Sequence, residues 1–168
     1  EGVERRGAGG TAFQEFGESC DDPPPWGRVM HPGGKSLTLI DMDNDGDKDF
    51  LGGHEQCEEL YYLENVGTPD DAKMTYWVDT FPNTEKPANF HIHPAAFYED
   101  FDHDGVKDLV VAPNEQYNID FRIDFAHSSW FYKNTGSNEL PEFSFMTERF
   151  MQSSMIDLGD EAVPSLVD

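Results

Sequence analysis

The sequence predicts an all-β fold made of two similar units of antiparallel strands. A ten-residue acidic segment occurs twice, at Asp41–Phe50 and Asp100–Leu109, and the first Asp residues of the two copies lie 59 positions apart. Short stretches rich in β-branched and aromatic residues flank both copies, and they are too brief for helices. Outside the loops, no stretch keeps a 3.6-residue apolar period over three turns. We therefore expect strands to dominate and helices to be nearly absent.

The composition fits a folded domain that carries many acidic groups. The 168 residues include 34 Asp and Glu against 11 Lys and Arg, which gives a formal net charge of −23, and 13% of the residues are aromatic. This aromatic content argues against a disordered chain. The charge argues against nucleic acid and anionic membrane surfaces as partners. The sequence has no initiator Met, signal peptide or transmembrane run, so we expect a mature or trimmed chain without direct membrane insertion.

Both acidic segments fit the pattern D-x-D-x-D-G-x-x-D followed by an apolar residue. Carboxylates at positions 1, 3 and 5 can converge on one cation, the glycine at position 6 permits a sharp turn, and position 7 offers its backbone carbonyl. Position 9 returns a fourth carboxylate. The predicted ligands are Asp41, Asp43, Asp45, Asp47 (carbonyl) and Asp49 in the first copy, and Asp100, Asp102, Asp104, Val106 (carbonyl) and Asp108 in the second.

An all-oxygen set of ligands with this charge suits Ca²⁺ better than Zn²⁺ or Mg²⁺. Chance would supply the pattern only about 0.002 times in a chain of this composition and length, so we prefer a cation site to the alternative of solvated acidic loops. The pattern is not an EF-hand, which needs a bidentate Glu at position 12, because that position holds Gly52 and Val111. Each loop should instead join two antiparallel strands.

The flanking elements divide the chain into an arm and two units. Residues 1–35 form the predicted N-terminal arm, in which only Thr11–Phe16 could be a strand. Residues 36–90 form the first unit and residues 91–163 the second, each with strands on both sides of its acidic loop. The remaining predicted strands are Leu60–Asn65 and Met74–Val78 in the first unit, and Ser129–Asn134 and Glu142–Phe145 in the second.

An Asn-x-Gly-[Thr/Ser] turn recurs in both units and supports the repeat. It contains Asn65 and Gly67 in the first unit and Asn134 and Gly136 in the second, 69 positions later, so the extra residues fall in a longer loop within 114–128. Residues 164–168 lead from an apolar segment into Asp168 and would begin a third unit. A period near 60 residues with about four short strands is typical of β-propeller blades, and closure usually needs about four to eight of them. We therefore expect a partial propeller of a longer chain.

These motifs resemble the FG-GAP/VCBS repeats, the calcium-bearing blades of integrin-α-type propellers. The D-x-D-x-D-G-x-x-D-[LF] loop, the [YF]-x-x-N-x-G-[TS] turn and the Pro-x-x-x-Asp segment carry the resemblance over residues 36–168. The resemblance implies one Ca²⁺ in each loop, held by the ligands named above, and a third site that starts at Asp168 if the chain continues. Similar arrays occur in secreted surface proteins of Bacteroidota, which often use the type IX secretion pathway. This implies a secreted protein or one on the extracellular face of the outer membrane.

The leading functional hypothesis is a calcium-stabilised, non-enzymatic protein for adhesion or protein–protein interaction at a bacterial surface. The partners would be a protein or glycan ligand and the remaining blades of the same chain. The alternative is the scaffold of a carbohydrate-binding or carbohydrate-cleaving protein, a lectin or a polysaccharide lyase. The sequence contains no G-x-S-x-G motif, P-loop or Cys/His nucleophile arrangement.

Three smaller features remain open in the sequence. Cys20 and Cys57 could form a disulfide that ties the arm to the first unit, which an oxidising compartment allows, or they could be two buried thiols. His91 and His93 have the spacing of a transition-metal chelate, but no third ligand is evident nearby, so a surface pair is favoured. Trp130 is expected in the core rather than on a sugar-stacking surface.

Overall fold

A computed structural model of the chain describes residues 6–7, 35–54, 57–82, 84–90, 93–115 and 123–154. These residues form strands and loops, one 3-10 turn at Phe125–His127, and no α-helix, so the all-β prediction is confirmed. None of the described elements could cross a membrane as an apolar helix. The strands are β1 (Arg6–Gly7), β2 (Lys35–Ile40), β3 (Asp49–His54), β4 (Tyr61–Asn65), β5 (Met74–Val78), β6 (Pro94–Glu99), β7 (Asp108–Pro113), β8 (Trp130–Asn134) and β9 (Phe143–Thr147).

The strands form two antiparallel sheets, one for each predicted unit. The first sheet has the order β1-β5-β4-β3-β2 and the second has the order β6-β7-β8-β9. The two sheets share one pairing register, because Leu51 pairs with Tyr62 as Val110 pairs with Phe131. At the outer pair of strands, Asn65 lies opposite Met74 in the first sheet as Asn134 lies opposite Phe143 in the second. The repeat read from the sequence is therefore a repeat of backbone structure.

The first sheet has one strand more than the sequence predicts. Arg6 and Gly7 of the predicted arm pair with Trp77 and Tyr76 at the outer edge of β5. An edge strand offers unpaired backbone groups, so a short extended segment can join it with little sequence signal. The other predicted features of the arm, Thr11–Phe16 among them, and the start of a third unit at 164–168 lie outside the described residues.

The two sheets stack with unlike faces in contact. We call the face of the first sheet that carries Ile40, Leu51 and Tyr62 its front face. These side chains pack in one buried cluster with Leu109 and Tyr132 of the second sheet. By the shared register, Leu109 and Tyr132 correspond to Phe50 and Leu63, which lie on the opposite face of the first sheet, here called the back face. The front of the first sheet thus covers the back of the second.

Polar contacts along the innermost strands hold the sheets in this arrangement. The hydroxyl groups of Ser36 and Thr38 on β2 donate to the carbonyl oxygens of Pro94 and Ala96 on β6, at 2.6 and 2.5 Å. A Cβ atom on Gly53 would lie 1.7 Å from the Pro94 carbonyl oxygen. Only glycine therefore allows the backbone of β3 to approach β6 this closely.

A second inter-sheet contact involves the segment that leads from β5 to β6. Lys86 donates to Glu148 at 2.5 Å, and its ammonium nitrogen lies 4.2 Å from the ring centre of Trp130 and 4.8 Å from that of Phe145. Trp130 packs against the buried cluster, in line with its expected place in the core. This lysine therefore joins the end of the first unit to the outer strands of the second.

The histidine and cysteine features differ in part from the expectations. His93 is buried, with 4% of its surface exposed, and its backbone N–H donates to the Cys57 carbonyl at 3.0 Å. The surface-pair interpretation is therefore wrong for His93, because the chain turns inward there to start β6; His91 lies outside the described residues. Cys57 is buried and disulfide-bonded. Because Cys20 lies outside the described residues, the pairing of these two cysteines stays a prediction.

Candidate metal centres

The two acidic loops share one backbone conformation. The first loop (residues 41–49) connects β2 to β3, and the second loop (residues 100–108) connects β6 to β7. Position 4 has a positive φ in both loops, 62° at Asn44 and 63° at His103, and position 6 has a φ of 93° at both Gly46 and Gly105. The left-handed region is open to glycine and tolerated by Asn and His. The motif thus sets the same turn twice.

Hydrogen bonds from the loop backbone to its own carboxylates hold this turn. The backbone N–H of position 7 donates to the carboxylate of position 5, at 3.0 Å from Asp47 to Asp45 and at 2.9 Å from Val106 to Asp104. The N–H of position 5 donates to position 3 at 3.2 Å in both loops. Each bond occupies one oxygen of a carboxylate, as in Asx turns.

Three carboxylates converge in each loop. One oxygen from each of Asp41, Asp43 and Asp45 lies within 4.8 Å of the other two, and the same holds for Asp100, Asp102 and Asp108. Oxygens that share a Ca²⁺ at about 2.3–2.6 Å from the ion lie no farther apart than about 5 Å. Both triads could therefore hold a metal ion. The sequence predicted all six residues, although the third member comes from position 5 in the first loop and from position 9 in the second.

The first-loop residue at position 9 is an anchor of the fold. Asp49 is buried, and its carboxylate accepts hydrogen bonds from the backbone N–H groups of Asn65 at 2.8 Å and Met42 at 2.9 Å. The nearby hydroxyl group of Tyr62 favours its charged form and so acts to lower its pKa. Both oxygens of Asp49 are thus engaged, and this residue lies outside the triad. It links the loop to β4 without the help of a metal ion.

Asp108, its counterpart in the second loop, keeps one oxygen available. Oδ1 accepts from the backbone N–H of Asn134 at 3.0 Å, as Asp49 accepts from Asn65. Oδ2 is buried without a hydrogen-bond partner of ordinary geometry, in a residue with 0% exposure. The backbone N–H of Phe101, the counterpart of Met42, is near enough to favour the charged form but does not complete this bond. Burial raises the pKa of Asp108, since the charged form loses its hydration. A cation bound by Asp100 and Asp102 would offset this cost.

The turn asparagines that recur in the two units tie each acidic loop to the next hairpin. The Asn65 side chain accepts from the N–H groups of Gly67 and Lys73, at 3.1 and 2.8 Å, and donates to the Lys48 carbonyl at 3.3 Å. Asn134 makes the equivalent contacts in the second unit with Gly136, Glu142 and Lys107. The sequence predicts these residues as turn formers. Their hydrogen bond to the carbonyl at position 8 of the acidic loop is visible only in the tertiary structure.

The Asp47 side chain is a functional group that sequence reasoning missed. The pattern assigns only its carbonyl, yet the residue is 3% exposed and its Oδ1 is buried without a hydrogen-bond partner. Burial raises the pKa of Asp47, and the neighbouring Asp45 and Asp49 raise it further. The first loop therefore offers one carboxylate more than the second, where Val106 stands at this position. The signal was the difference between the two copies at position 7.

Lys133 is the second missed residue. Its ammonium nitrogen donates to Asp102 Oδ2 and, at 2.7 Å, to Asp104 Oδ2. These hydrogen bonds hold the pKa of Asp104 below its usual range. Lys133 lies on β8, and no feature of the acidic motif indicates that it reaches the loop. In the first unit the corresponding residue is Glu64.

The fold and the triads define an all-β protein with two acidic loops that could bind metal ions. No protein-family model, curated protein or solved structure matches the chain. The similarity to FG-GAP/VCBS repeats therefore stays a prediction carried by the motif residues.

Proposed function

We propose that this chain is a calcium-stabilised segment of a β-propeller-like array, in which each sheet is one blade and each acidic loop binds one Ca²⁺. The observation that carries the proposal is the pair of loops with equal backbone turns, converging carboxylates and buried carboxylate oxygens without hydrogen-bond partners. A buried carboxylate that lacks a partner is costly. A divalent cation bound in the loop offsets this cost and the mutual repulsion of the carboxylates.

The ligand chemistry favours Ca²⁺ over other metals. Both triads consist of carboxylates alone, without His or Cys, whereas zinc sites in proteins usually contain His or Cys. Mg²⁺ binds six oxygens at about 2.0–2.1 Å in strict octahedral geometry and keeps several waters. An acidic loop that combines side-chain and backbone oxygens on a flexible turn suits the larger and less demanding Ca²⁺.

The front-to-back contact of the sheets supports an array with further blades. Because unlike faces meet, the back of the first sheet and the front of the second sheet take no part in this contact. The first of these exposes Leu37 and Leu39, by 55% and 53%, and the second exposes Phe97 by 52%. Phe131, on the same front face, is buried and stacks on Phe150 with the ring centres 4.6 Å apart. A heterologous contact of this kind can repeat until a ring closes.

The surface role follows from the same features. Extracellular Ca²⁺ concentrations suit weak sites of this type, and a disulfide-bonded Cys57 fits an oxidising compartment. A rigid, acidic blade array outside the cell provides a scaffold for adhesion or protein–protein contacts. Trp130, the only tryptophan whose side chain is described, is engaged by Lys86 and donates to the His127 carbonyl at 2.9 Å. It therefore offers no open platform for stacking a sugar.

Calcium binding is tested by titrating chelator-treated protein with Ca²⁺ in a calorimeter and by following thermal unfolding. We expect saturable binding and a rise in melting temperature, with a much smaller effect of Mg²⁺. Binding to the folded state alone contributes about 2.7 kcal/mol per site at one hundred times Kd. Asp45→Asn should weaken binding and reduce the thermal shift.

The matched control is Asp70→Asn, which removes the same charge from an exposed turn outside both loops. If Ca²⁺ leaves the melting temperature unchanged, or if both variants respond alike, the calcium proposal is refuted. A glycan array tests the surface role separately: saturable, calcium-dependent sugar binding would replace the adhesion proposal with the carbohydrate-binding alternative.

A further inference from the structure

We propose that the two loops are unequal calcium sites, because the ammonium group of Lys133 competes with the cation for the carboxylates of the second loop. This inference rests on the calcium function proposed above. It assigns the first loop as the tight site and the second as a site that fills only at higher Ca²⁺ concentration.

The contacts of Lys133 occupy the oxygens that a cation would need. One oxygen of Asp102 and one of Asp104 already accept backbone N–H groups of the loop. Lys133 binds the other oxygen of each carboxylate. Each oxygen of Asp102 and Asp104 thus accepts one hydrogen bond. Both oxygens of Asp100 also accept one, from the backbone N–H groups of Asp104 and Gly105. The bonds from Lys133 are charge-assisted, but water screens them because all three side chains that form them are about a third exposed.

The position of Lys133 is fixed by its neighbour in the chain. The backbone N–H of Asn134 donates to Asp108 at 3.0 Å, and its side chain donates to the Lys107 carbonyl at 3.0 Å. Both bonds hold this end of β8 against the second loop. The backbone of Lys133, one residue earlier, is therefore already held beside the loop. Only its side chain has to become ordered when it binds the loop carboxylates.

The first loop lacks this competitor and has an additional acid. Among the described residues, no Lys or Arg forms an ion pair with a carboxylate of the first loop. The residue that corresponds to Lys133 is Glu64, and the residue that corresponds to Val106 is Asp47. The first loop thus has five carboxylates, whereas the second has four together with an ammonium group. Both differences favour Ca²⁺ in the first loop.

Lys133 competes for the second site without closing it. The Oδ2 atom of Asp108 is fully buried and has no hydrogen-bond partner, and Asp108 belongs to the same triad as Asp100 and Asp102. The ammonium group contacts Asp102 and Asp104 but leaves this buried oxygen unsatisfied. A Ca²⁺ ion that displaces Lys133 would bind Asp108 as well. The second loop therefore remains a cation site with reduced affinity.

The size of the effect follows from the bonds that Ca²⁺ must replace. Lys133, Asp102 and Asp104 are each about a third exposed, so displacing these two solvent-screened contacts predicts a second site about 5- to 30-fold weaker than the first. The loops should also differ when calcium is removed. Lys133 neutralises part of the second loop, whereas the first loop is left with crowded carboxylates, so a chelator should expose the chain near Asn44 to protease before the chain near His103.

The inference is tested by Ca²⁺ titration of the wild type and of Lys133→Met. Both proteins are also titrated with Asp45→Asn added, which weakens the first site and leaves the second site to be measured. We expect two classes of site in the wild type, and a second site tightened about fivefold or more by Lys133→Met. The control is Lys107→Met. It removes the same charge close to the loop, but the Lys107 ammonium contacts Glu99 at 3.4 Å instead of the loop carboxylates. It should change the affinity of the second site by less than about threefold.

Each outcome separates this inference from the calcium proposal. Two sites of equal affinity in the wild type, or equal effects of Lys133→Met and Lys107→Met, would overturn the inference while calcium binding stands. No Ca²⁺ binding by the wild type would overturn both. If Lys133→Met does not fold, Lys133→Gln carries the same test, because it removes the charge and keeps a polar group at the loop surface.

Discussion

Replacing Asn134 with alanine should destabilise the protein more than any change to an exposed loop residue. The side chain is 3% exposed and makes four hydrogen bonds. Oδ1 accepts from the N–H groups of Gly136 and Glu142 at 2.9 and 3.0 Å, and Nδ2 donates to the carbonyls of Lys107 and Ser137 at 3.0 Å each. At about 1 kcal/mol per bond, and with partner backbone groups that are only partly buried, Asn134→Ala should cost about 2–4 kcal/mol.

The assay is equilibrium unfolding in urea at saturating Ca²⁺, in which the change in midpoint multiplied by the m-value gives the loss in free energy of unfolding. Asn138→Ala is the matched control. Asn138 is exposed and makes two hydrogen bonds to the second loop, with the Lys107 N–H at 2.7 Å and the Gly105 carbonyl at 3.0 Å. Water can replace these partners, so the control should cost about 1 kcal/mol or less. If Asn134→Ala costs no more than the control, the asparagine does not link the loop to the hairpin.

Two further predictions concern protons and the contact between the sheets. Burial raises the pKa of Asp47 and Asp108, so the folded protein without calcium holds these protons at a pH where the unfolded chain has lost them. Its stability therefore gains from these groups as pH falls through their raised pKa values, while Ca²⁺ needs the ionised forms. The stabilisation by Ca²⁺, measured as the shift in melting temperature, should shrink as the pH falls from about 7 towards the ordinary Asp pKa of 3.8; a constant shift over this range would contradict the prediction. Lys86→Met should cost about 1 kcal/mol in urea unfolding, because it removes a half-exposed ion pair with Glu148 and a contact with two aromatic rings. Lys73→Met, which removes a more exposed ion pair at 3.4 Å, should cost less than about 0.5 kcal/mol, and equal costs would show that the inter-sheet contact contributes nothing.

The acidic loops could be predicted from the sequence because all their parts are local. The carboxylates, the turn glycine and the strands that flank them lie within about twenty consecutive residues. A residue at position 6 that must adopt a positive φ is almost always glycine, so Gly46 and Gly105 fix the turn from the sequence alone. The strands could be predicted because their signals are also local. Short segments of alternating apolar and polar residues or of aromatic residues, bounded by turn residues, favour β-strands.

The roles of individual carboxylates required the tertiary structure. Asp49 and Asp108 stand at the same motif position, yet the backbone N–H of Met42 completes a hydrogen bond to Oδ2 of Asp49, whereas the corresponding N–H of Phe101 completes none to Oδ2 of Asp108. The motif also gave no reason to treat the Asp47 side chain as buried. Burial and hydrogen bonding depend on what the rest of the fold places over a loop, and the loop sequence does not encode this.

The sequence by itself determined that two similar antiparallel units each carry one acidic turn able to gather oxygens around a cation. The tertiary structure alone decided that unlike faces of the sheets meet, that His93 turns inward, and that Lys133 reaches the second loop from β8. Lys133 and Asp102 lie 31 residues apart in the sequence. The physical reason is that a metal loop is built from neighbours in sequence, whereas its affinity is set by the charges that strand pairing brings beside it.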